Sequence, residues 1–176
     1  MPRKLVKRSD YKSFWGVPAS GSGTPTFKRM KGFTEFSISK NPTEYSRQYI
    51  DESFETTDVT GYSDSCSFAF DKFTGDDVLA DIAAIIDDDK LGTDAQREVV
   101  MVDFSSSVTG GGYEAVKATF AVIGDSKGDS TDAFTYSGNL KLAGTKINGT
   151  ATIATPEGGT GETVETITFT AAAATE

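Results

Sequence analysis

Residues 113–123 read YEAVKATFAVI, an alternation of apolar and polar side chains that is typical of a β-strand with one buried face. Lys117 and Thr119 lie on one face of this strand. The opposite face is apolar and holds Val116, Ala118, Phe120 and Val122. Successive side chains of a strand point to opposite sides of a sheet, so this stretch fits a strand that covers a core. It predicts a β-rich domain.

The same alternation occurs on both sides of this stretch. It predicts further strands at residues 33–39, 45–50, 65–71, 99–104, 133–142, 146–154 and 163–170. Turn signals separate them at Asn41-Pro42, a loop over 58–61, and the glycine-rich joints 110–112, 125–128 and 156–159. Short strands joined by such turns predict a mainly β fold, an antiparallel β-sandwich or barrel.

One amphipathic α-helix is predicted at about residues 75–87. Thr74 is the expected N-cap, and Asp77 completes an acidic form of the capping box. Apolar residues then recur on a single stripe, which we expect to form a helix–sheet core: Val78, Leu79, Ile82, Ile85 and Ile86. The helix should therefore flank the sheet and bury this face against it.

The residue content excludes most catalytic chemistry. The chain has no histidine and a single cysteine, Cys66, so Ser-His and Cys-His nucleophiles are ruled out and no internal disulfide is possible. Cys66 lies in the alternating run CSFAF, which predicts a buried apolar role. We expect no enzymatic activity and no cofactor.

The strongest motif match is a weak metal candidate at an acidic turn. Asp87, Asp89, Gly92 and Glu98 agree with positions 1, 3, 6 and 12 of an EF-hand loop, but Leu91 at position 5 offers no side-chain oxygen. Glu98 also enters a β-branched run instead of a second helix. An acidic helix-to-strand turn is the preferred interpretation, and no metal is expected.

Charge divides the chain into a basic N-terminal segment and an acidic remainder. Residues 1–31 hold eight Lys/Arg and one acid, a net +7, whereas the rest has a net charge of −16. The segment also has a Gly/Ser run and three prolines, so we predict a basic arm at 1–32, separable from a single β-rich domain at 33–176. Its candidate subunit-interface residues are Arg3, Lys4, Lys7, Arg8, Tyr11, Phe14 and Trp15. The alternative is that Trp15 packs on its own domain.

No stretch approaches the roughly 20 apolar residues of a membrane-spanning helix, and residues 1–30 contain no apolar run of signal-peptide length. We therefore expect no membrane association, and a protein that is used inside a cell or carried as part of a particle.

Four segments, taken in order, resemble the major tail tube protein of long-tailed (siphovirus-type) bacteriophages of Gram-positive hosts. They are residues 33–37, 45–52, 56–62 and 85–103, and the likeness extends over about residues 30–125. The resemblance implies a β-sandwich with a flanking helix, whose sheets join around a hexameric ring into an inner barrel. It further implies that rings stack into a hollow tube.

The resemblance also implies partners and a location. The chain would assemble with itself, around a tape-measure protein and with other tail proteins, in the host bacterial cytoplasm, and would remain in the virion tail. Genomic DNA would pass through the lumen during ejection without specific binding, which agrees with an acidic body that repels phosphates. A different class stays open as the alternative: a β-sandwich surface binding module that recognises a glycan or a protein.

Overall fold

The structure is a computed structural model, and it describes residues 5–19, 23–154 and 166–172. One α-helix, α1 (Asp77–Asp87), and two short 3-10 turns, Arg8–Asp10 and Gly92–Ala95, occur in these residues. The strands are β1 (Tyr11–Val17), β2 (Thr26–Arg29), β3 (Phe33–Ser39), β4 (Pro42–Arg47), β5 (Thr56–Tyr62), β6 (Ser65–Asp71), β7 (Gln96–Ser107), β8 (Tyr113–Lys127), β9 (Thr135–Leu142), β10 (Ile147–Ala154) and β11 (Thr166–Ala171). The predicted mainly β fold with one flanking helix is confirmed.

The long strand β8 belongs to two parts of an antiparallel sheet. The strand order is β10-β11-β2-β1-β7-β8-β9-β6-β3, and β10 also pairs with β8. On one edge of β8, residues 113–117 pair with β10 and residues 120–127 pair with β9. The extra pairing closes strands β8, β10, β11, β2, β1 and β7 into a barrel, from which β9, β6 and β3 extend as an open wing.

Two apolar cores lie on opposite sides of the shared strands. The barrel interior is filled by Phe14, Phe27, Val100, Val102, Ala115, Ala151 and Ile167. The second core lies between the wing and α1 and includes Trp15, Cys66, Phe68, Phe70, Phe120, Val122, Tyr136 and Leu140. Each large apolar side chain buried in this way stabilises the fold by about 1.5–3 kcal/mol.

Helix α1 begins two residues later than a Thr74 cap would require. Asp76 is the N-cap, and its Oδ1 accepts hydrogen bonds from the backbone N–H groups of Val78 (2.9 Å) and Leu79 (3.1 Å). Gly75 precedes it at φ 86, a conformation that lets the chain turn into the helix without a Cβ clash. The predicted Thr74 capping box is therefore wrong, because Asp77 is already the first helical residue.

The stripe of α1 faces the wing. Val78, Leu79, Ile82 and Ile85 are buried in the second core, and Ile86 is partly buried against it. A glycine in β8 allows this close approach, since a Cβ at Gly124 would lie 2.8 Å from Ile86. The helix therefore packs directly against β8, the strand that borders both cores.

The predicted separation of an arm at residues 1–32 from the body does not agree with the structure. Strand β1 lies inside the sheet between β2 and β7, and the side chains of Phe14 and Trp15 are 0% exposed. They point to opposite faces of β1, Phe14 into the barrel and Trp15 towards α1. Burial on both faces removes the alternation that would reveal this strand, because Phe14 and Trp15 are consecutive and both buried. Gly16 weakens the strand signal further but has a packing role, since a Cβ there would lie 3.0 Å from the Glu98 carbonyl oxygen.

The region between β3 and β6 is a separate two-stranded hairpin, β4–β5, with almost every residue exposed. The predicted strand at 45–50 is shifted, since β4 begins at Pro42, and the predicted loop over 58–61 lies within β5. The Thr- and Val-rich composition of residues 56–60 favours the extended conformation over a loop despite Asp58 and Gly61.

No helix in residues 5–19, 23–154 and 166–172 combines the length and the apolar character needed to cross a bilayer.

Candidate functional site

The weak metal candidate is not assembled as a site. Asp87 accepts hydrogen bonds from Lys127 Nζ (2.7 Å) and the Tyr136 hydroxyl (2.9 Å), and these bonds lower the pKa of Asp87. Glu98 instead forms an ion pair with Lys117 at 2.8 Å. Within the described parts of the chain, no three His, Cys, Asp or Glu side chains are grouped as metal ligands, so Asp87, Asp89 and Glu98 are not brought together.

The candidate interface residues of the N-terminal segment are divided by the fold. Lys7, Arg8 and Tyr11 are exposed, while Phe14 and Trp15 are interior side chains. Trp15 Nε1 donates to Asp81 Oδ2 at 2.8 Å, and Arg97 binds both oxygens of the same carboxylate. Trp15 therefore packs on its own domain. Arg3 and Lys4 lie outside the described residues.

A mainly polar face covers the side of the wing away from α1, although Ile123 of β8, opposite Asn139, is an exposed apolar residue on it. Alternation along β6 places Cys66, Phe68 and Phe70 in the core, so the side chains between them point to the other side. Cross-strand pairs on this face join hydroxyl and amide side chains, as in Ser37 opposite Ser67 and Ser67 opposite Asn139. The exposed or half-buried residues of this face include Glu35, Ser37, Ser39, Ser65, Ser67, Ala69, Asp71, Ser137, Asn139 and Lys141.

The wing ends in two unpaired strand edges. β3 is the last strand of the order and pairs only with β6 among the described residues. At the other side, the pairing of β8 with β7 ends at Gln96 opposite Ala121, so residues 122–127 of β8 pair with β9 alone in the described structure. Unpaired backbone N–H and C=O groups make each edge a template for another strand.

Hairpin β4–β5 carries large apolar side chains into solvent. Ile50 is 109% exposed and Phe54 is 84% exposed at its tip. Tyr45, Tyr49, Val59 and Tyr62 are also exposed along it. Several large exposed apolar side chains on one element are typical of an interaction surface.

Similar solved structures identify this architecture. The tail of an empty GTA particle, determined by helical refinement with C6 symmetry, matches with a TM-score of 0.56 and 17% identity, over 81% of this chain and 97% of that one. The SPP1 tail tube matches with a TM-score of 0.52 and 16% identity, over 90% and 91% of the two chains. The chain has the tail tube fold.

A third tail tube-like structure has the same fold. The tube-terminating cap of the anti-feeding prophage matches with a TM-score of 0.50 and 10% identity, over 85% of this chain and 94% of that one. Neither a protein-family model nor a curated protein matches the sequence. The sequence resemblance to tail tube proteins is thus confirmed for the fold, while the Gram-positive host stays a prediction.

In this tail tube fold, a buried carboxylate fixes the root of the projecting hairpin. Asp64, just after β5, is 2% exposed, and its Oδ2 accepts hydrogen bonds from Lys40 (3.1 Å) and from Lys146. The backbone also links the two strands' ends, because Ser63 N–H donates to the Asn41 carbonyl at 3.1 Å. Burial raises the pKa of Asp64, but the two lysines outweigh it and hold the pKa below its ordinary value.

We expect Asp64→Asn to destabilise the domain more at pH 7 than at pH 3. The lowered pKa means that ionised Asp64 stabilises the fold above the unfolded-state pKa of about 3.9, and that this contribution is lost as pH falls through the folded-state pKa. Loss of charge-assisted hydrogen bonds should cost about 1.5–3 kcal/mol at pH 7. Thermal unfolding at pH 7 and pH 3 measures the difference from the parent, with the exposed Asp58→Asn as control. An equal Asp64→Asn deficit at both pH values would contradict this assignment.

Proposed function

We propose that this chain is the structural subunit of a phage-type tail tube, which forms stacked hexameric rings around a lumen. The observation that carries the proposal is the wing, a sheet that has an unpaired edge at each side within the described residues and a mainly polar face. The tail tube fold supports it, and the C6 symmetry of the GTA tail supports six subunits per ring. No catalytic role is proposed.

Joining the two edges of neighbouring wings would close an inner barrel. Going from β8 through β9 and β6 to β3, every pair is antiparallel. The β8 edge of a neighbour placed beside β3 therefore continues the alternation with antiparallel pairing. Ring closure then satisfies the backbone groups that each separate copy leaves exposed.

The polar face of the wing would line the lumen. Affinity for DNA comes mainly from Lys and Arg that neutralise phosphates, whereas this face carries two carboxylates, Glu35 and Asp71, together with Lys141. Serine hydroxyls offer neither charge nor stacking surface. Genomic DNA would therefore move through the lumen without specific binding, after a tape-measure protein has occupied it during assembly in the host cytoplasm.

The hairpin would connect one ring to the next in the virion tail. It is the element that projects from the domain, and its exposed apolar tip has the character of an interface core. Asp64, Lys40 and Lys146 hold its base, so the tip would be presented at a fixed angle to the ring.

We expect Phe54→Asp to raise the concentration needed for tube formation about tenfold while the domain still folds. Phe54 is exposed in the single chain, so a carboxylate there leaves the melting temperature near that of the parent. At a ring–ring interface the same charge removes an apolar anchor, which costs at least about 1–2 kcal/mol per contact, or about tenfold in assembly concentration. Sedimentation and negative-stain microscopy, with tail-initiation partners present, measure the lowest protein concentration at which tubes form, which is the assembly threshold. The neighbouring exposed Ser53→Asp is the control, and equal thresholds for the two variants would contradict the stacking role.

A further inference from the structure

We propose that a charge lock sets the direction in which subunits join around the ring: a basic groove beside β3 of one copy binds the acidic end beside β8 of the next. This inference rests on the proposed tail tube function. The partner is a second copy of the chain, and the observation that selects it is the opposite charge of the two ends of the wing.

The basic groove lies between β3 and the strands of the N-terminal segment. Its volume is about 380 Å³, and its apolar floor includes Phe33 and Phe36. Among the residues that the structure describes, the charged side chains that line it are basic: Arg8, Lys12, Arg29 and Lys31, of which Lys31 already has a partner within the chain. An acidic partner that enters the groove would therefore gain from Arg8, Lys12 and Arg29.

The acidic end lies at the other side of the wing, beside the unpaired segment of β8. Three consecutive carboxylates stand at the end of α1, Asp87, Asp88 and Asp89, and Asp125 of β8 lines the same surface. Lys127 pairs with Asp87 and Lys90 pairs with Asp88, so these four carboxylates still outnumber the two lysines beside them. Negative charge at a helix C-terminus opposes the helix dipole and lowers stability. A local cost of this kind is typical of residues that are used for binding instead of folding.

Both ends face the same side of the wing. The floor of the basic groove, Phe33 and Phe36, packs against the core that contains α1. The acidic end follows α1 itself, and the surface beside it is lined by Ile86, Leu91 and Gly124. When β3 meets the β8 edge of the next copy in a continuous sheet, the two ends therefore lie on the same outer side of the junction.

Both ends also lie at the same height along the strands. Phe33 is opposite Phe70, Phe70 is opposite Tyr136, and Tyr136 is opposite Lys127. This row crosses the wing from the β3 edge to the β8 edge. At the β3 end of this row, Arg29 and Lys31 come shortly before Phe33 in the chain. At the β8 end, Asp87 contacts Lys127 and Tyr136. Edge-to-edge joining thus brings the basic groove against the acidic end of the neighbour, with the exposed Leu91 (83%) beside the apolar floor.

The test is a charge swap on the full-length chain with tail-initiation partners. Arg8→Glu with Arg29→Glu reverses the groove, and Asp88→Lys with Asp125→Lys reverses the acidic end. Each pair alone should raise the assembly concentration at least about tenfold, the equivalent of about 1.4 kcal/mol. A chain with all four substitutions has the parent's net charge and should assemble within about threefold of the parent. Equal melting temperatures, checked by circular dichroism, ensure that folded chains are compared.

The possible outcomes distinguish a failure of the charge lock from a failure of the proposed tail tube function. Tubes from the parent and from both single-side variants at the same concentration would overturn the lock and leave the tail tube function standing. The charge lock would also be overturned if the chain with all four substitutions failed to assemble along with both single-side variants. Restored assembly of that chain is the specific consequence of the charge lock. A parent that never assembles with these partners would overturn both proposals.

Discussion

Deletion of residues 2–24 is expected to leave a chain that does not fold. The deletion removes β1, which lies between β2 and β7, and with it Phe14 from one core and Trp15 from the other. Replacing a single buried aromatic residue by alanine costs about 3–5 kcal/mol, and a domain of this size has a total stability of about 5–15 kcal/mol. Loss of both aromatic residues and of the β1 pairings on two strands exceeds that reserve.

Circular dichroism, thermal unfolding and size-exclusion chromatography measure the result. The matched control deletes residues 2–6 only, which leaves the 3-10 turn at Arg8–Asp10 and all of β1 in place. We expect the control to melt cooperatively near the parent temperature and the longer deletion to show no cooperative transition. If the longer deletion melted cooperatively near the parent temperature, the sequence-based prediction of a separable N-terminal arm would be correct after all.

Ile82→Asp is expected to unfold most of the population at 25 °C. Ile82 is 0% exposed in the core between α1 and the wing. Burying an unpaired carboxylate there costs several kcal/mol beyond the lost apolar contacts, comparable with the stability of the whole domain. Urea unfolding monitored by circular dichroism measures the change in the free energy of unfolding.

Ala80→Asp is the matched control on the same helix. Ala80 is exposed and lies two residues before Ile82, so the substitution introduces the same charge without burial and loses more helix propensity than Ile82→Asp does. We expect its free energy of unfolding to fall by less than about 1 kcal/mol. If the two variants were equally stable, the packing of this face of α1 against the wing would be wrong.

The sequence predicts those strands whose alternation is set by burial. Strands β3 and β6 agree with the predicted ranges, because Phe68 and Phe70 must face a core while Ser67 faces away from it. Hairpin β4–β5 lacks this signal, since nearly all its residues are exposed and alternation carries no information there. The tail tube resemblance, in contrast, depends on several of these exposed segments.

Other features depend on contacts that are distant in sequence. The single carboxylate that Trp15 and Arg97 share, Asp81, lies 66 residues from Trp15, so local pattern gives no indication that β1 is internal. The unpaired edges likewise follow from where β7 pairing stops along β8. The buried Asp64 has no sequence signal either, because its two lysines come from separate loops.

Cryo-electron microscopy of the chain assembled with its tail-initiation partners tests the tail tube function most directly. The account predicts a hollow tube of stacked six-subunit rings, in which β8, β9, β6 and β3 of each copy form the inner wall and Ser37, Ser67 and Ser137 face the lumen. A chain that stays monomeric at every concentration with those partners present, or a tube whose inner wall is built from other strands, would contradict it.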